Sequence, residues 1–140
     1  GGVIVNMSPP ITANVTPTKV AYMISKFGMT MLTEGLAVET KADNIRVFSL
    51  WPVTMVESQA VIGNNLGTPE MWRKADVLVD ATMGLVTGEA GVASGSAVYD
   101  EEVLAKLGIT DLSGYACVPG ATPPRMRLDD PNGYWQRGGG

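Results

Sequence analysis

Ala21-Tyr22-Met23-Ile24-Ser25-Lys26-Phe27-Gly28-Met29 is the stretch on which the reading of this chain turns, because it sets a phenol and an ammonium four residues apart inside a helical pattern. Side chains four apart lie one above the other on the same helix face. Bringing a free phenol from a pKa of about 10 to near neutrality takes roughly 4 kcal/mol of preference for the phenolate. A unit positive charge about 4 Å away, at an effective dielectric near 20, supplies an energy of that order. Lys26 is therefore sufficient in principle to make Tyr22 a usable acid or base.

Outward from this pair, Thr16-Pro17-Thr18 offers N-cap chemistry for a helix from about Lys19 to Lys41. Val20, Ile24, Phe27, Met31 and Val38 fall on one stripe, which is expected to pack on a sheet. Tyr22, Lys26, Met29, Thr33 and Leu36 take the opposite side, so the helix is expected to be covered twice, by its sheet and by a second helix or a partner subunit. Gly28 and Gly35 would each cost about 1 kcal/mol relative to Ala in a helix interior, which points to close packing there. Upstream, Val3 to Met7 is apolar and β-branched enough for a buried strand, stopped by Ser8-Pro9-Pro10. Downstream, an Asp43-Asn44 turn leads to a second strand, Ile45 to Leu50, closed by Trp51-Pro52.

Strand, loop with Ser, helix with Tyr and Lys, strand, Pro turn: this order resembles the second half of the short-chain dehydrogenase/reductase family. Within it the chain looks closest to the hydroxysteroid dehydrogenase-like branch, on Val5-Asn-Met-Ser-Pro-Pro10, residues 21–29, Leu50-Trp-Pro-Val-Thr54 and Tyr99-Asp-Glu-Glu-Val-Leu104. The resemblance runs from Val3 to about Leu128. It implies an α/β fold, a partial Rossmann-like doubly wound parallel sheet of about three strands with flanking helices. Residues 1–128 would be the C-terminal part of the domain, and 129–140 a disordered tail. The N-terminal half, with its Gly-rich pyrophosphate turn, is expected to be missing, since the chain opens at Gly1 with a strand almost at once; it reads as a fragment.

The same resemblance implies an oxidoreductase that moves a hydride between NAD or NADP and a carbonyl or alcohol substrate, with lipid-like substrates in view. Tyr22 would donate the proton to the carbonyl or accept it from the alcohol, and Lys26 would lower the tyrosine pKa and bind the nicotinamide ribose. Ser8 is the candidate clamp for the substrate oxygen. Most relatives carry a second, catalytic serine where this chain has Pro9, so either Ser8 substitutes from the adjacent position or a loop hydroxyl such as Thr12 does. Pro52 begins the turn that passes the nicotinamide, with Val53 in place of the usual glycine. Thr54 and Ser58 are its hydroxyls and Val56 its backbone contact. The family's catalytic asparagine lies further upstream, and neither Asn6 nor Asn44 is drafted for it. NAD against NADP is not readable, because the selecting residue belongs to the other half.

The 140 residues carry a net charge of −4, 45% apolar residues and no Lys/Arg cluster. That balance fits a core-forming chain and argues against nucleic acid or an anionic membrane surface as partner. No apolar run is long enough for a membrane span. One cysteine, Cys117, and no histidine exclude an internal disulfide and make a zinc site unsupported; a cytoplasmic location and a homo-oligomer of the complete protein are expected. Val53 to Gly67 reads as a loop with one short helix, and Thr68-Pro69-Glu70 as the start of a helix burying Ala75, Leu78, Val79, Thr82 and Met83. Gly88, Gly91 and Gly95 follow a helix and precede a strand, Ser96 to Tyr99, the reverse of a phosphate loop, so they read as a turn. Glu101 to Leu107 is a short helix, and an extended tail follows from Gly114. Two other functions compete: a truncated, catalytically silent paralogue serving as an interaction or dimerisation module, and lipid or acyl-CoA binding without redox chemistry.

Overall fold

A computed structural model describes residues 1–14, 18–130 and 132–133. Strand β1 (Gly2–Met7) and strand β2 (Ile45–Trp51) lie side by side and parallel, with Val5 opposite Phe48 and Asn6 opposite Ser49. Strand β5 (Ala97–Tyr99) extends the sheet on the far side of β2, also parallel, giving the order β1-β2-β5. Between β2 and β5 come β3 (Met55–Val56), α2 (Gln59–Gly63), β4 (Trp72–Arg73) and α3 (Asp76–Thr87), with β3 and β4 forming a small parallel ribbon of their own. Helix α4 (Asp100–Lys106) follows β5 directly. The crossover from β1 to β2 is helix α1 (Val20–Glu39).

Alternation along β2 assigns its neighbours to opposite faces. Phe48 and Leu50 point into a fully buried cluster with Val77, Ala81 and Leu85 of α3 and Val103 and Leu104 of α4. Ser49, one residue away, hydrogen-bonds Thr33 of α1. The sheet is therefore covered by α1 on one side and by α3 and α4 on the other, the two-layer wrapping expected from the sequence.

The face that α1 turns to the sheet differs from the expected one. Val20, Ile24, Met31 and Val38 are 59%, 67%, 64% and 77% exposed, whereas the buried residues are Met23, Thr30 and Thr33. The physical reason lies in the sheet: its α1 side presents Asn6, Ser8 and Ser49, so it accepts short hydroxyl side chains that complete hydrogen bonds there. Thr30 likewise donates to the Pro9 carbonyl at 2.7 Å. A Cβ built on Gly28 or Gly35 would meet nothing within 4 Å, so no close packing within the described residues calls for either glycine.

The expected cap residues Thr16 and Pro17 lie outside the described residues, and Lys19 occupies the N-cap with no side-chain cap bond. The helix expected from Thr68 begins later. Pro69–Met71 make a single 3-10 turn, Trp72 and Arg73 pair as β4, and α3 starts at Asp76. Tertiary bonds override the local start signal here: the Trp72 indole donates to Leu66 O, and Trp72 O accepts from Cys117 N–H. The buried stripe of α3 is Val77, Ala81, Gly84 and Leu85, while Val79 and Met83 of the expected stripe are exposed. Gly84 belongs to that stripe because a Cβ there would lie 2.6 Å from Leu107 Cδ1. Gly88 ends α3 at φ 84°, and the Arg46 guanidinium donates to the last carbonyls, Leu85 O at 3.0 Å and Val86 O at 2.7 Å. Residues 131 and 134–140 of the expected tail lie outside the described residues; Asp129, at its start, accepts bonds from Arg127 and from the Tyr99 hydroxyl.

Candidate active site

Helix α1 begins beyond the carboxyl end of β1, so its second turn passes over the strand ends, where open α/β sheets receive their ligands. There the Lys26 ammonium donates to Met7 O at 3.0 Å, and its Nζ stands 5.7 Å from the Tyr22 ring centroid. The two side chains are thus brought together as the spacing implies. A third ring, Trp51 at the end of β2, comes to 5.3 Å from the same Nζ. The ammonium is held by one backbone carbonyl and two aromatic faces, a cation–π arrangement.

Sequence reasoning missed Trp51 as a member of this cluster. The available signal was an aromatic residue at the carboxyl end of a strand, immediately before the proline of the turn. Tyr22 is 49% exposed, and partial burial pushes its phenol upward from 10, opposite to the direction the acid–base role uses. The ammonium lies over the ring and toward the Met7 carbonyl.

Ser8 sits next to Met7 in sequence but turns inward. Its hydroxyl donates to Ser49 Oγ at 2.9 Å; Ser49 donates to Thr33 Oγ1 at 2.7 Å; Thr33 donates to Met29 O at 3.1 Å. Asn6 Nδ2 also donates to Thr33 Oγ1, at 2.8 Å. This relay runs beneath α1, and Ser8 has no exposed surface. Thr12, the other hydroxyl considered, accepts from Asn14 N–H, whose side chain reaches Leu128 O.

The turn after β2 places Pro52 half-buried at the same strand end. Thr54 is 3% exposed and donates to the neighbouring Met55 O, and Val56 is buried in the core at the end of β3. Ser58 is exposed and caps α2, its Oγ accepting from Val61 N–H. Tyr22, Lys26, Trp51 and Pro52 therefore share one end of the fold, while Ser8 lies under the helix and Ser58 belongs to the next helix. An open groove of about 630 Å³ lies elsewhere, lined by Glu34, Val38, Lys41, Asn44, Arg46 and Ser96 at the amino end of β2. A strand of this length spans about 20 Å, which separates that groove from the Tyr22 cluster.

Residues 1–65 match the short chain dehydrogenase family model. Over 121 residues the chain is 38% identical to hydroxysteroid dehydrogenase-like protein 2 of Xenopus laevis, covering 84% of this chain and 28% of that protein. Over those first 65 residues the chain is similar to the short chain dehydrogenase family. Against hydroxysteroid dehydrogenase-like protein 2 of Homo sapiens the chain is 36% identical over 133 residues, 91% of this chain and 31% of that one. A crystal structure of a Xanthomonas campestris protein described as a dehydrogenase superposes with a TM-score of 0.75 at 32% identity, over 88% of this chain and 46% of that one. The chain therefore spans less than a third of the length of these curated relatives and about half of that structure. Among the described residues no helix is long and apolar enough to cross a membrane.

Proposed function

We propose that this chain carries the acid–base half of a dehydrogenase, with Tyr22 and Lys26 as its reacting pair. The observation that supports it is the Lys26 ammonium fixed to Met7 O beside the Tyr22 ring, at the carboxyl end of a parallel sheet and next to the Pro52 turn. An ammonium and a phenol on one helix face fit the hydroxyls of a nicotinamide ribose. Of the three donors an ammonium offers, Met7 takes one. NAD or NADP, when bound, would supply or accept the hydride. Tyr22 would hand its hydroxyl proton to the carbonyl oxygen of a small substrate, or take one from the alcohol. Lys26 would hold the ribose and counter the charge of the phenolate. Ser8 would act through its relay, keeping β1 against α1, and a substrate clamp by Ser8 needs its hydroxyl to leave Ser49. Pro52, Thr54, Val56 and Ser58 would shape the turn that meets the nicotinamide.

Residues 1–128 then form the C-terminal part of the domain. No strand, Gly-rich turn and helix in that order, the unit that cradles pyrophosphate, occurs among the described residues. The activity reading accordingly concerns a chain completed by an upstream nucleotide-binding half. In such a chain Tyr22→Phe is expected to abolish turnover and leave cofactor binding nearly intact, whereas Lys26→Ala damages both. A near-unchanged rate for Tyr22→Phe sinks the assignment.

The exposed face of α1 supports association of complete copies. Ile24, Gly28, Met31, Gly35 and Val38 follow one another at helical spacing along it, and neither glycine would be crowded by a Cβ. Met31→Glu should dissociate such an assembly in sedimentation velocity; an unchanged sedimentation coefficient counts against the self-association.

A further inference from the structure

We propose that Asp100 is the positioning residue for the turn from Pro52 to Val56, fixing the main chain that the nicotinamide meets; this rests on the hydride-transfer reading above. Pro52 has no N–H, so Val53 carries the first main-chain donor after β2. That N–H goes to Asp100 Oδ1 at 2.9 Å, across a sequence gap of 47 residues. On its other side the Val53 carbonyl accepts from Met126 N–H at 2.7 Å. Both main-chain groups of one turn residue are thus taken by distant segments, and Val53 itself has no exposed surface.

Asp100 is the first residue of α4 and is completely buried. Its Oδ1 also accepts from Glu101 N–H at 2.8 Å, while Oδ2 has no hydrogen-bond partner among the described residues. As a core residue alone a carboxyl here is a poor choice, since burying it half-satisfied is unfavourable. Besides taking up the Glu101 N–H at the start of its own helix, the side chain ties the distant Val53 N–H to α4. Two charged groups influence it: Arg73 of β4 and Glu101 of α4. Arg73 donates to Glu101 Oε1 at 2.7 Å, and the other Glu101 oxygen pairs with Arg125. Arg73 also stands opposite Val56 in the small ribbon, so the far end of the turn is tied to the same charge network. Burial, as the largest influence, pushes the Asp100 carboxyl up to about 6.

The test compares Asp100→Ala, which removes the acceptor, with Asp100→Asn, which keeps an oxygen at the same place. In the chain completed by its upstream half, Asp100→Ala should raise the KM for NAD or NADP about tenfold while changing kcat far less, and Asp100→Asn should restore most of that loss. In the 140-residue chain, the Val53 amide resonance should titrate with a midpoint near 6 in the parent and lose that titration in Asp100→Asn. Equal cofactor KM values for the Ala and Asn variants, or a Val53 amide that shows no titration in the parent, overturn the proposal. If Asp100→Ala does not fold, the Asn comparison and the parent titration still decide. Failure of the hydride-transfer reading is separately visible as turnover that survives Tyr22→Phe, with the Val53 titration intact.

Discussion

Ser8 donates its hydroxyl hydrogen to Ser49 at 2.9 Å, across the seam between β1 and β2 and beneath α1. This bond binds strand to strand through side chains, parallel to the main-chain ladder. Removing it as Ser8→Ala leaves Ser49 one donor short in a fully buried place, so denaturant unfolding should register a loss of about 1 kcal/mol. A double-mutant cycle with Ser49→Ala should show coupling of the same order, and additive single effects would contradict the relay. The kinetic arm is separate. If Ser8 also clamps substrate in a completed enzyme, the same change should slow turnover on the order of 100-fold.

The Tyr22 phenol should titrate above 10 in this chain, as seen in the absorbance difference between the parent and Tyr22→Phe. Because its folded pKa is raised, the folded state holds the proton more tightly than the unfolded one. Stability tied to Tyr22 is therefore complete below about 10 and lost as the pH climbs through the folded value. A midpoint below 10 would mean that Lys26 dominates over burial.

Asp100 produces a different window. Its carboxyl is raised from 3.8 to about 6, so between those values the folded state binds more protons than the unfolded state and stability falls as pH rises. The decline amounts to no more than about 3 kcal/mol and flattens above the folded value. Asp100→Asn should erase this slope in urea melts between pH 4 and pH 6.5, windows set by the same shift. Asp129, held below the usual carboxylate range by the Arg127 guanidinium, acts in the opposite sense and at lower pH.

Arg46→Met should destabilise by about 1–2 kcal/mol, since two carbonyls at the end of α3 lose a charged donor. Arg46→Lys, lacking the fork, should recover only part of it. Equal thermal midpoints for all three proteins would show that solvent serves those carbonyls equally well.

Gly84→Ala should cost about 1–3 kcal/mol, because the added Cβ meets Leu107 Cδ1 at 2.6 Å. Gly28→Ala, where a Cβ meets nothing within 4 Å, should stabilise the chain by about 1 kcal/mol. Calorimetry on the pair distinguishes a glycine that is packed from one that is merely present.

The order of the large elements was legible because strand-forming runs and turn residues punctuate it sharply: Val3 to Met7 before Ser8-Pro9, Ile45 to Leu50 after Asn44, and Gly88 at a left-handed helix end. The Tyr22–Lys26 adjacency was legible from helix periodicity alone. The facing of α1 was not, since apolar periodicity presumes an apolar sheet, and here Asn6, Ser8 and Ser49 make the covered surface polar. Trp51 and Asp100 escaped for a related reason. Their roles depend on partners far away in sequence, Lys26 and Val53, which no local spacing encodes.

Lys26 is anchored to a main-chain oxygen, and that separates the position of its charge from the chemistry of the residue supplying the oxygen. The Met7 side chain packs against the apolar cluster on the other face of the sheet. Leucine or isoleucine at position 7 would leave the ammonium where it is. A slip of β1 by a single residue along β2 would instead turn that carbonyl away, so the pairing of two strands, rather than any side chain at residue 7, determines where the charge resides.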